Sequence, residues 1–204
     1  VERVTALDYE RFMIDEQMPE TFRRFEARTE KIERAYGSFN RIPRRDFYDF
    51  IVGVGAMHHS EDLVVSFKSL HDALKPGGVA LISDVCMTDA TTNRFLYEAY
   101  ESVSASDAER YGRPVKMKEN GDHWYRLAEW LAAAWRVGFE TLPIMFDHER
   151  GAPADDAIFA KPRAFDGFSV QTYQPYFAKD QQYDKMFLVL QRPDANGATP
   201  IVSR

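Results

Sequence analysis

The residues of this sequence best suited to chemistry are two adjacent histidines, His58 and His59, closing the stretch YDFIVGVGAMHHSED (Tyr48 to Asp62). Imidazole can ligate a metal, and it can take or give a proton near neutral pH. A plain strand terminus is the third reading. Two acids stand at comparable places: Asp8 closes VTALD, and Asp84 closes VALISD. A carboxylate there can accept two hydrogen bonds from a ligand, cap a turn, or face solvent.

Several chemistries are excluded or disfavoured by spacing. Gly53 and Gly55 begin a G-x-G-x-x-G pattern, but His58 stands where the third glycine belongs. There is no Walker A pattern and no G-x-S-x-G elbow. Neighbouring side chains at a strand end are expected to diverge, and metal ligands usually recur at i+2 or i+4, so no metal is expected at His58 and His59. Cys86 is the single cysteine, which removes disulfide frameworks and Cys-based zinc sites and fits a reducing compartment.

The elements that must position these residues alternate between strand and helix. Val4–Asp8 reads as a strand and residues 10–30 as a helix broken near Pro19, with Phe12, Met13, Phe22 and Phe25 as core candidates. KIERAYGSFNRIP is weakly strand-like and then turns. Phe50–Val54 reads as a buried strand. Asp62 can cap a helix Leu63–Leu74 that presents Leu63, Phe67, Leu70 and Leu74 on one face. Lys-Pro-Gly-Gly (Lys75–Gly78) ends it in a turn, and Val79–Ser83 is the next buried strand. A helix is expected over Asn93–Ser104. A second, over His123–Phe139, carries Trp124, Leu127, Leu131 and Ala134 on a stripe and Gly138 past its end. Thr141–Phe146 and Met186–Gln191 read as the last strands. Residues 147–184 form an irregular aromatic-rich insertion, a lid or an oligomer surface, and residues 193–204 a flexible tail.

This order predicts one α/β domain over residues 1–192, a mostly parallel sheet layered with helices. In such sheets ligands bind beyond the carboxyl ends of the strands, which puts Asp8, Gly55–His59 and Asp84 at one edge. A net charge of −6, spread along the chain, argues against nucleic acid. No apolar run reaches the roughly 18 residues of a membrane span and no signal-peptide pattern opens the chain, so a cytoplasmic location without membrane attachment is expected.

VTALDYERFM, YGSFNRIP, YDFIVGVGAMHHSED and LHDALKPGGVALISDV, in this order, resemble the middle of a class I S-adenosylmethionine-dependent methyltransferase of the small-molecule branch. AEWLAAAWRVGFETL and KMFLVLQRP resemble its last helix and closing strands, including a C-terminal antiparallel strand. The resemblance implies a Rossmann-like fold with helices on both faces, the cofactor S-adenosylmethionine (product S-adenosylhomocysteine), and methyl transfer to an O or N of a small-molecule acceptor. It implies that Asp8 accepts the ribose hydroxyls and that Tyr9 and Met13 pack on the adenine. Ser38 stands where the family often has an acid facing the adenine amino group, with Phe39 covering the ring. Val54, Gly55 and His58 would border the methionyl part.

One histidine would be structural and the other, preferably His59, a base. Tyr97, Tyr100, Tyr111, His123, Tyr125 and Arg126 are acceptor-pocket candidates, each equally readable as packing. The family's first strand and glycine-rich loop have no counterpart here, and the chain opens at Val1 close to a strand. A preceding segment that completes the cofactor site is therefore expected. The alternative is a non-catalytic methyltransferase-like module that serves as scaffold or binds a partner; homo-oligomerisation is left open.

Overall fold

The computed structural model describes residues 2–26, 28–145 and 183–194. Among the described residues, six strands fall into two sheets. The smaller pairs β1 (Val4–Asp8) in parallel with β2 (Ile32–Tyr36). The larger has the order β3 (Tyr48–Val54), β4 (Leu74–Met87), β6 (Tyr183–Gln191), β5 (Glu140–Met145). β3 and β4 run parallel, whereas β6 is antiparallel to both its neighbours. β1 and β3 each keep one edge unpaired among the described residues.

The core lies against one face of the larger sheet. Residues alternate along a strand, and on β4 Ala80, Ile82 and Cys86 point into it, joined by Met186, Leu188 and Leu190 of β6. Two helices cover that face: α2 (Leu63–Ala73) contributes Leu63, Phe67 and Leu70, and α5 (Leu127–Arg136) contributes Leu127, Trp130, Ala133 and Ala134. Asp62 caps α2 as expected, its Oδ1 accepting from the amides of Val64 and Val65. Gly138 follows α5 at φ +94°, a left-handed conformation in which a Cβ would be strained.

Several sequence expectations shift. Phe50–Val54 is a strand but not a buried one: Phe50, Val52 and Val54 are exposed, because among the described residues nothing covers that face of β3 or pairs its outer edge. The first helical region starts with a π-helical turn (Met13–Gln17), continues as α1 (Met18–Arg24) and stops there. Pro19 is not a break; it occupies the first turn of α1, where its missing N–H costs nothing. Phe12 and Phe25 are exposed, and Ile14 is the buried residue of that region.

The Lys75–Gly78 turn is absorbed into an irregular start of β4, with Gly77 at φ +77°. The helix predicted over Asn93–Ser104 is two: α3 (Asn93–Tyr100) and α4 (Ala105–Tyr111), with Ser104 accepting from Asp107 N as the cap of the second. α5 starts at Leu127, so its buried stripe centres on Trp130 rather than Trp124 and Leu131. The 147–184 insertion lies outside the described residues except for its last two positions, which belong to β6, and residues 195–204 lie outside them.

Candidate functional site

The histidine pair sits in a single 3₁₀ turn, Met57–His59, directly after β3 and Gly55. Gly55 adopts φ +55°, and its amide donates to the Ser83 carbonyl at 2.8 Å, so the chain leaves the sheet sharply. Asp84, fully buried on β4, organises the turn. Its Oδ2 accepts from the amides of Met57 (2.9 Å) and His58 (3.2 Å). Its Oδ1 meets His58 Nδ1 at 2.8 Å and accepts from the Val85 amide at 2.8 Å. Asp84 therefore caps and orients this turn, leaving neither oxygen free for an acceptor.

A second carboxylate reaches the pair from the opposite side. The loop before α5 is tied down where the His123 amide donates to the His58 carbonyl at 2.8 Å. That contact brings Asp122 Oδ1 to 3.3 Å from His58 Nε2 and 3.3 Å from His59 Nδ1. The two rings lie 4.1 Å apart, so the turn makes them converge where divergence was expected. Burial alone would lower the His58 pKa. The bonds and charges of Asp122 and Asp84 outweigh it and hold the value at about 9. Burial would likewise raise Asp122, but the His58 bond and both histidine charges leave it lowered.

The acceptor candidates separate into two groups. His123 stacks between Tyr100 (5.6 Å) and Tyr125 (5.9 Å), a ladder beside the histidine turn, and burial lowers its pKa. The Tyr125 hydroxyl donates to the Ser60 carbonyl, and burial pushes it up to about 12. Arg126 is occupied structurally, its Nε donating to the Thr91 carbonyl (2.8 Å) and its Nη2 to Asn93 Oδ1 (2.6 Å). Tyr97 and Tyr111 are exposed.

On the cofactor side, Asp8 Oδ1 accepts from the Glu10 amide (2.9 Å), and its other oxygen has no partner among the described residues. Tyr9 is half exposed, and Met13 is part-buried in the π-helical turn. Ser38 already accepts from the Asn40 amide (3.1 Å), while Phe39 packs on the core. Val54 is exposed, and a Cβ built on Gly55 would meet nothing within 4 Å. An acceptor oxygen at Asp8 and open space at Gly55 fit a nucleoside cofactor. No hydrogen bond or ion pair among the described residues joins Asp8, Tyr9, Met13 or Ser38 to the histidine turn.

The two regions are bridged by the 93–126 segment. Arg110 of α4 pairs with Glu10 at 3.8 Å, Asn120 donates to Asp107 Oδ2 at 3.0 Å, and Asp122 faces the histidines. Asp122 was not legible beforehand: an acid in a polar loop carries no spacing signal. Asp84 was, as an acid after an apolar run, although β4 continues past it to Met87 rather than ending at Ser83.

A methyltransferase-domain family matches residues 3–144, more than half of the sequence, and the chain belongs to that family. It is thus an S-adenosylmethionine-dependent methyltransferase in class, with the corresponding Rossmann-like fold. Among solved structures it is similar to a protein provisionally described as a sarcosine dimethylglycine methyltransferase from Galdieria sulphuraria (17% identity, 94% of this chain and 70% of that one, TM-score 0.61). It is also similar to an S-adenosylmethionine-dependent methyltransferase from Mesorhizobium loti (20%, 94% and 81%, 0.56). The [4+2]-cyclase SpnF is a third (12%, 95% and 67%, 0.60), and one fold can host different reactions. No curated protein matches the sequence.

Proposed function

We propose that the protein methylates an oxygen or nitrogen of a small-molecule acceptor bound between the histidine turn and the 93–126 segment. The observation that carries this reading is the bridge from Glu10, two residues past Asp8, through Arg110 and α4 to Asp122 and the histidines. It ties the cofactor-binding acid and the candidate base into one cap over the carboxyl ends of β1 and β3. β1 and β3 each keep an unpaired edge, the position the resemblance assigns to the family's first strand.

S-adenosylmethionine, when bound, supplies an electrophilic methyl on a sulfonium. The chain's residues then have three tasks. Asp8 accepts the ribose hydroxyls through its free oxygen, with Tyr9 and Met13 beside the adenine. The stack of Tyr100, His123 and Tyr125 orients the acceptor, since in-line displacement gains most from proximity. His59 takes the acceptor proton: its Nδ1 makes no hydrogen bond, although it lies 3.3 Å from Asp122, whereas His58 is engaged by Asp84 at Nδ1 and by Asp122 at Nε2. His58 is therefore the structural member of the pair.

The test is release of S-adenosylhomocysteine across a panel of small hydroxyl and amine acceptors. His59→Ala should lower the rate roughly 10²–10⁴-fold with cofactor affinity unchanged. An unchanged rate would remove the base assignment. A second reading, a partner-binding module without turnover, draws on exposed Phe50, Val52 and Val54. It predicts no release with any acceptor and no cofactor binding.

A further inference from the structure

His58, His59 and Asp122 present one donor atom each within 4.8 Å of one another. Three features distinguish this cluster from a chance meeting of polar groups. The first is spacing. Asp122 Oδ1 is 3.3 Å from His58 Nε2 and 3.3 Å from His59 Nδ1. Tetrahedral zinc with bonds of about 2.0–2.1 Å sets its ligands about 3.3–3.4 Å apart, so both measured separations match edges of that tetrahedron.

The second is orientation. Asp84 engages His58 Nδ1 at 2.8 Å and is itself fixed by three backbone amides. A carboxylate behind one imidazole nitrogen fixes the ring and directs the other at a metal, and such outer partners accompany most histidine ligands. The third is an unexplained atom. His59 Nδ1 is buried and makes no hydrogen bond, although it lies against Asp122. Buried polar atoms are nearly always satisfied, and an exception calls for a partner.

We propose that His58 Nε2, His59 Nδ1 and the Asp122 carboxylate form a binding site for a divalent transition-metal cation of the zinc class, with Asp84 as the orienting residue. Two imidazoles and one carboxylate are donors for such a metal rather than for Mg²⁺ or Ca²⁺, which prefer oxygen ligands. The three side chains stay partly exposed, at 25%, 28% and 17%, which leaves a path for the cation and room for a fourth ligand. The site does not depend on the acceptor reading. It does interact with it: a metal on Nδ1 leaves the His59 proton on Nε2, so the metal-loaded protein cannot use this ring as a base. Zinc should therefore inhibit any His59-dependent turnover.

The test is titration of chelator-treated protein with Co²⁺ in a non-coordinating buffer. One saturable site with the visible bands of four-coordinate Co²⁺, discharged by Zn²⁺, is expected. Asp122→Asn and His59→Gln should each weaken binding at least about 10-fold, Asp84→Asn by about 10–100-fold, and His71→Gln not at all. Absence of saturable binding, or binding that survives both Asp122→Asn and His59→Gln, overturns the proposal. X-ray absorption of the zinc-loaded wild type gives an answer without variants: two imidazole ligands support the site, and fewer than two refute it.

Discussion

Asp84 makes four hydrogen bonds shared between its two oxygens, three to the histidine turn and one from the Val85 amide beside it. Asn in its place keeps one acceptor oxygen and turns an NH₂ toward two of those donors. Asp84→Asn should therefore cost about 2–4 kcal/mol in urea unfolding, a large share of a domain's stability. A loss within experimental error would mean that the turn is held elsewhere. His58 gives the pH prediction for metal-free protein. Its folded pKa is raised from 6.5 to about 9, so its contribution to stability is complete below about pH 6.5 and is lost as pH rises through about 9. An NMR titration of the ring showing a midpoint near 6.5 would contradict this. The pair itself was readable in the sequence as unusual residues at a strand end. Its two acidic partners were not equally readable, because Asp122 is placed by the backbone bond between His123 and His58, a contact between distant segments.

At the scale of elements, the strong signals were local ones. Asp62 before Leu63, and the spacing of Leu63, Phe67 and Leu70, marked α2 because a cap and a 3.6-residue stripe are written within one helix; Leu74, the fourth residue of the expected stripe, is buried but already starts β4. Asp62→Ala should cost about 1 kcal/mol. The face of α5 was legible only in part, since burial of Trp130 depends on where the helix begins, and Arg126 with Glu129 sets that start. Trp130 is fully buried against Phe67 and Tyr125. Trp130→Ala should remove about 3–5 kcal/mol, against about 1 kcal/mol or less for the exposed Trp135→Ala. Thermal unfolding of the two variants checks the ranking, and reversal of it would mean that the core lies on the other face. The exposure of β3 escaped the sequence reading because FIVGV looks the same whether one face or both are covered.

On the scale of the whole molecule, the described strands form two sheets whose stabilities should differ. β4 and β6 are backed by a continuous core, whereas β1 and β2 form a two-stranded pair with no fully buried side chain. Two strands alone are marginal in water, so their amides should exchange with solvent well before those of Ile82, Leu188 and Leu190. Equal protection across both sheets would show that β1 and β2 are integrated into the core more firmly than their pairing indicates. This difference bears on function, because Asp8 ends β1 while the histidines stand in the turn that follows β3. Cofactor binding should slow exchange in β1 by joining the two regions. The most direct measurement is calorimetric titration of S-adenosylhomocysteine into the protein as wild type and as Asp8→Ala. Saturable binding that Asp8→Ala weakens at least about 10-fold is predicted by the proposal that this carboxylate accepts the two ribose hydroxyls. Absence of binding, or binding indifferent to Asp8, would contradict the proposal that this edge is the cofactor site.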